Sequence, residues 1–70
     1  MTLDKARRGV EVRIISLPQD EIRSQLVRLG LSEGSTVECL ARLPLGPVVL
    51  RCKRQEIALG RALARRIHVE

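Results

Sequence analysis

One stretch, Leu26–Gly34, constrains the fold of this chain more than any other, because it joins the end of a helix to the start of a strand. Gly30 stands where a helix commonly ends in a residue with positive φ, a conformation that costs most other residues about 1 kcal/mol or more. Gly34 lies in a polar turn just before a β-branched run. The fold-determining residues of this stretch are therefore predicted to be Leu26, Leu29, Gly30, Leu31 and Gly34.

The spacing of Ile22, Leu26 and Leu29 predicts the helix that precedes Gly30, because it places the three side chains on one helical face. Asp20 can cap the start of this helix near Glu21. No other segment predicts a helix of this length, although residues 61–65 favour a single helical or tighter turn.

Alternating apolar and polar residues predict five short strands in the rest of the chain. They cover residues 10–16, 35–43, 48–54, 56–59 and 67–69. Pairing Leu43 with Val48 brings the apolar faces of the second and third strands into register, with Cys39 opposite Cys52. Strands this short cannot bury their apolar faces as an open sheet. We therefore expect an all-β chain in which the sheet closes into a small barrel and the helix plugs one open end.

Composition limits the size of the domain and the classes of partner. The 70 residues predict a single domain, 1–70, and the absence of Phe, Tyr and Trp requires an aliphatic core. No apolar run is long enough to span a membrane and no signal segment is evident, so we expect a cytoplasmic location. The net charge of +5 indicates a solvated basic surface, or contact with an acidic partner, anionic lipid heads or nucleic acid. Because no aromatic side chain can stack on a base, we expect no nucleic acid partner.

The two cysteines, Cys39 and Cys52, are typical of small apolar core residues. They lack the close paired spacing of a zinc site, although His68 and Glu70 would bring the number of ligands to four. A disulfide between the two cysteines is also possible in the predicted register. We expect no metal site, no cofactor and no catalytic residue, since no nucleophile has an evident base partner.

The segment Pro44-Leu45-Gly46-Pro47 predicts a rigid hairpin loop between the second and third strands. Leu45 lies at its middle, where an apolar side chain has little core within reach. Two alternatives remain open. Either Leu45 forms an exposed apolar tip that docks on a partner, or the loop folds back and buries it.

Several short motifs follow one another along nearly the whole chain. They are Leu3 and Gly9, the central Leu26-x-x-Leu29-Gly30-Leu31-x-x-Gly34, the Pro44-Leu45-Gly46-Pro47 hairpin, and Ile57-Ala58-Leu59 followed by Ala64-x-x-Ile67-x-Val69. In this order and spacing the chain resembles the FeoA family, the small cytosolic proteins of bacterial ferrous iron uptake.

The resemblance implies a small Src-homology-3-like barrel that has no catalytic activity and assists FeoB, a membrane permease with a cytosolic GTP-binding domain. Contacts with this partner are expected at Arg28 and at Pro44, Leu45, Gly46 and Pro47. The same barrel forms the C-terminal domain of iron-dependent repressors of the DtxR type. A metal-responsive regulatory barrel is therefore the alternative function.

Overall fold

The computed structural model describes all residues from Met1 to Glu70. It contains five strands, two helices and a short 3₁₀ turn at Leu3–Lys5. The strands are β1 (Glu11–Ser16), β2 (Thr36–Arg42), β3 (Val48–Cys52), β4 (Gln55–Leu59) and β5 (His68–Val69). The helices are α1 (Ile22–Arg28), which follows β1 as predicted, and α2 (Arg61–Ala64). No helix has the length and apolar character needed to cross a membrane.

The five strands form one sheet in the order β4-β3-β2-β1-β5, and every neighbouring pair is antiparallel. This arrangement agrees with the predicted small five-stranded fold, but the sheet is not closed, because no ladder joins β4 to β5. The N-terminal residues occupy the outer edge of β5 instead. Leu3 donates its amide to Ile67 and Val69 donates its amide to Met1, each over 2.9 Å.

Helix α1 starts and ends where its sequence predicts. The amide of Ile22 donates to the Asp20 carboxylate over 3.0 Å, so Asp20 caps the first turn. At the other end, the amide of Leu31 donates to the Leu26 carbonyl and that of Gly30 to the Val27 carbonyl. These two bonds form a Schellman motif, which requires the positive φ of 93° at Gly30.

The three residues predicted to share one face of the helix are buried to different extents. Leu26 is buried, as is Leu31 beyond the helix, but Leu29 is 40% exposed and Ile22 is only partly buried. Leu29 is the C-terminal cap, where the chain turns toward Gly30, so its side chain is more exposed than that of Leu26. Gly34 has the predicted positive φ, 92°, and its amide donates to the Ile14 carbonyl of β1.

The predicted register between β2 and β3 is also wrong. Cys39 lies opposite Leu50 rather than Cys52, and Val48 lies opposite Arg42 rather than Leu43. The loop begins one residue earlier than predicted, at Leu43, and an irregularity between Cys39 and Ala41 adds one unpaired residue to β2. The predicted alternation nevertheless holds in β3, where Val48, Leu50 and Cys52 are all buried.

A single aliphatic core lies between the sheet, the N-terminal turn and the two helices. Its 17 buried residues are Leu3, Ala6, Val12, Ile14, Leu17, Leu26, Leu31, Val37, Cys39, Val48, Leu50, Cys52, Ile57, Leu59, Ala64, Ile67 and Val69. Both cysteines are free thiols within this core. The core therefore draws on every strand, so the two ends of the sheet are held by the same packing.

Candidate functional site

The loop between β2 and β3 is built on a turn whose third residue has an uncommon backbone conformation. The amide of Gly46 donates to the carbonyl of Leu43 over 2.9 Å, which closes the turn. Pro44 takes the second position, as in a type II turn, whose third position needs a positive φ and is usually glycine. Here that position is Leu45, with φ 59°. The left-handed conformation costs a residue with a side chain about 1–2 kcal/mol.

The tip of this loop is apolar and exposed. Leu45 is fully exposed and Leu43 is 49% exposed. Pro44 and Pro47 are exposed on either side of them. The alternative in which the loop buries Leu45 is therefore wrong. We call Leu43–Pro47 the hairpin tip.

Close packing within the hairpin tip fixes its shape. A Cβ atom placed on Gly46 would lie 2.9 Å from the Cβ atom of Leu43, a distance that real side chains do not tolerate. Only glycine therefore fits at position 46 without a shift of Leu43. The two prolines further restrict the backbone, since each fixes its own φ.

Arg61, the first residue of α2, ties the hairpin tip to the rest of the domain. Its Nη2 atom donates to the Leu43 carbonyl oxygen over 2.6 Å. The Nε atom of the same guanidinium is buried and has no hydrogen-bond partner. Within the protein, the guanidinium is therefore held by the Leu43 carbonyl alone.

Arg28 lies at the other end of β3 from the hairpin tip. It lines a shallow depression with Lys53 and Arg54, which form the turn between β3 and β4. We call these three cations the basic turn surface. Because β3 has five residues, about 3.3 Å each, roughly 17 Å of strand separates the two groups. The predicted contact residues thus form two separate surfaces.

The cations of the basic turn surface are not paired with carboxylates, whereas other arginines are. Arg66 donates to Asp20, and this hydrogen bond holds the pKa of the Asp20 carboxyl below its usual value. Hydrogen bonds from Arg23 likewise lower the pKa of Glu33. The basic turn surface is therefore an exposed cluster of three cations without carboxylate partners.

The fold agrees with a comparison of the whole sequence to known families. The family model described as the FeoA domain matches residues 1–70. This chain belongs to the FeoA family. The family is linked to ferrous iron transport, so the resemblance noted from the motifs is confirmed. No curated protein matches the chain.

Solved FeoA structures have the same fold as this chain. It is 32% identical to iron(II) transport protein A from Clostridium thermocellum, with a TM-score of 0.91 over 100% of this chain and 44% of that one. It is 25% identical to FeoA from Stenotrophomonas maltophilia complexed with zinc, with a TM-score of 0.84 over 100% of this chain and 89% of that one. The latter is described as a prokaryotic Src-homology-3 domain protein.

The chain is also similar to ScaR with bound Zn²⁺, at 26% identity and a TM-score of 0.89. The match covers 100% of this chain but 36% of ScaR. In this FeoA domain, no three His, Cys, Asp or Glu side chains cluster as metal ligands. Cys39 and Cys52 are buried in the core, whereas His68 is exposed, with its Nδ1 atom 3.3 Å from the Ser16 hydroxyl.

Several residues of these surfaces carried no signal in the sequence. Lys53 has a φ of 59° in a two-residue turn, yet the sequence there lacks the glycine or asparagine that announces such a turn. Arg61 belongs to a predicted helical turn, and only the tertiary structure brings it to Leu43. By contrast, Pro44 and Gly46 marked the hairpin tip directly.

Proposed function

We propose that this FeoA domain is a non-enzymatic accessory protein of ferrous iron uptake. It acts on the cytosolic side of the membrane by binding the GTP-binding part of a FeoB-type transporter. The proposed contact is the hairpin tip, with Leu45 at its centre. The observation that carries the proposal is that Leu45 is both fully exposed and in a left-handed backbone conformation.

This combination opposes folding on two counts. An exposed leucine gains no burial energy, whereas burying a leucine side chain contributes about 1.5–3 kcal/mol. The positive φ adds a further cost that glycine would avoid. Backbone strain of this kind is typical of sites that contact other molecules. Burial of Leu45 against a partner would recover the lost apolar energy.

The rigidity of the hairpin tip also supports a binding role. Two prolines, the close approach of Gly46 to Leu43 and the Arg61 bond all restrict the loop before any partner arrives. A preorganised loop loses less conformational entropy on binding than a mobile one. The exposed apolar tip is thus suited to insertion into an apolar pocket.

The test is a calorimetric titration of the protein against the transporter's cytosolic GTP-binding domain, with and without guanine nucleotide. Leu45→Asp should weaken binding by roughly 30-fold or more, because a central apolar anchor contributes about 2 kcal/mol or more. Ile15→Asp is the matched control, since Ile15 is a 42% exposed apolar residue outside the hairpin tip. Absence of binding, or equal effects of the two substitutions, would contradict the proposal.

The likeness to ScaR with bound Zn²⁺ favours one second candidate. In this alternative the domain is a metal-responsive regulatory barrel, like the C-terminal domain of DtxR-type repressors. Titration of the protein with Zn²⁺ and Mn²⁺ distinguishes the two functions. Micromolar metal binding that changes the amide spectrum of the core would favour the regulatory function. Unchanged spectra would favour the accessory function.

A further inference from the structure

The two edges of the sheet differ in how they are covered. At one edge, β5 is flanked by the N-terminal residues through the Leu3 to Ile67 and Val69 to Met1 hydrogen bonds. At the other edge, β4 pairs only with β3, through an unbroken ladder from Val48 opposite Leu59 to Cys52 opposite Gln55. The outer side of β4 is therefore an open edge.

The register of the β3–β4 hairpin shows which groups point outward. Cys52 and Gln55 flank a two-residue turn and so form a hydrogen-bonded pair. Hydrogen-bonded and non-hydrogen-bonded pairs alternate along an antiparallel ladder. The amides and carbonyls of Glu56 and Ala58 therefore point away from β3. Neither residue contributes to any other backbone hydrogen bond outside the strands.

Two usual protections against edge pairing, a proline and a bulge, are absent from β4. The strand is five residues long. Its one charged side chain, Glu56, lies 3.9 Å from Arg51 of β3 and is thus engaged across the hairpin. Ala58 is exposed and too small to block an approaching strand. An extended chain can therefore reach the outward backbone groups.

Charge selects the occupant of this edge. Lys53 and Arg54 stand at the beginning of β4 without carboxylate partners, and Arg61 follows its end. A second copy of this chain would bring another molecule of net charge +5 to this edge, which disfavours self-pairing.

We propose that the open edge of β4 binds an extended, acidic segment of a partner protein as an added strand. Backbone bonds to Glu56 and Ala58 supply the affinity, and carboxylates of the segment meet Lys53 and Arg54. This surface is separate from the hairpin tip, so the proposal does not depend on transporter binding.

The probe is the blocked octapeptide Asp-Asp-Val-Thr-Val-Thr-Asp-Asp, titrated into ¹⁵N-labelled protein. At about 1 mM peptide, the amide signals of Glu56 and Ala58 should shift and their hydrogen exchange should slow. The same peptide with Lys in place of Asp should bind more weakly. Peptide N-methylated at alternate residues should lose roughly tenfold in affinity, because its edge donors are blocked.

Ala58→Pro tests the protein side of this contact. It removes an outward amide without removing a β3 hydrogen bond, so the core signals should be retained while peptide affinity falls by roughly tenfold. Should this variant not fold, the N-methylated peptide still tests the edge. The proposal is overturned by the absence of shifts at Glu56 and Ala58, or by equal binding of the methylated peptide. It is also overturned if sedimentation shows a dimer that Ala58→Pro dissociates.

Discussion

Strand β3 has a non-glycine residue of positive φ beyond each of its ends, yet the two ends differ in chemistry. Leu45 and Lys53 both have φ 59°. Lys53 is an exposed, charged side chain beside Arg54, and a charged side chain in a solvent-exposed turn is ordinary. Around Leu45 the neighbours are Leu43 and prolines, and the side chain is fully exposed. Only the hairpin tip combines backbone strain with exposed apolar surface, which is why we propose the docking role for it.

The largest expected effect is on stability, and it distinguishes Gly46, which is closely packed, from Gly30, which has only a positive φ. Gly46→Ala should lower the free energy of unfolding by about 1–3 kcal/mol, because its Cβ would lie 2.9 Å from that of Leu43. Gly30→Ala should cost about 1 kcal/mol, from its positive φ alone, since its nearest neighbours are 3.9 Å away. Urea denaturation measures both. A cost well below about 1 kcal/mol for Gly46→Ala would contradict the packed hairpin tip.

The next effect concerns the anchor of the hairpin tip. Arg61→Lys should lower the free energy of unfolding by about 1 kcal/mol, because lysine cannot reproduce the guanidinium bond to Leu43. Arg54→Lys, in the basic turn surface, should change it by less than about 0.5 kcal/mol. Faster amide exchange at Gly46 in the first variant alone would show that the loop has loosened. Equal changes in stability and amide exchange for the two variants would contradict the proposed difference between the two ends of β3.

The smallest effect is expected from pH. Arg66 lowers the pKa of Asp20 and Arg23 lowers that of Glu33. Their stabilisation is complete above the ordinary values of 3.8 and 4.5 and is lost as pH falls through the lowered folded-state values. Asp20→Asn should flatten this acid dependence in urea titrations. Neither ion pair lies in the hairpin tip or the basic turn surface. The difference in the free energy of unfolding between Gly46→Ala and Gly30→Ala should therefore not change with pH.

Much of the fold follows from local sequence. Gly30 and Gly34 have the positive φ that their positions require, and Asp20 caps α1. These features depend on neighbours a few residues away, so the local sequence is sufficient to predict them. The alternation in β3 is similarly local, since Val48, Leu50 and Cys52 share one face.

The remaining features depend on contacts between distant segments. Leu29 has the right helical spacing for burial, but the Schellman turn rotates it outward. The β2–β3 register depends on an irregularity near Leu40 that no turn residue marks. No ladder joins β4 to β5, and Met1 and Leu3 bond to the edge of β5 that such a ladder would use.

The candidate site was predictable in part. The prolines and Gly46 identified the hairpin tip, and exposure of Leu45 was one of two alternatives. Its separation from Arg28 was not predictable, because the pairing of β3 with both neighbours places them at opposite ends. The contribution of Arg61 required the three-dimensional contact.

Leu45→Gly tests the central claim most directly, because glycine removes the apolar side chain and relieves the positive φ at once. Urea denaturation and titration against the transporter's cytosolic GTP-binding domain are measured on the same protein, with Lys53→Gly as the matched control. We predict that both variants are at least as stable as the parent, with a free energy of unfolding higher by up to about 1 kcal/mol. Only Leu45→Gly should bind the domain roughly tenfold or more weakly. Unchanged binding of Leu45→Gly, or a loss of stability in that variant alone, would contradict the account.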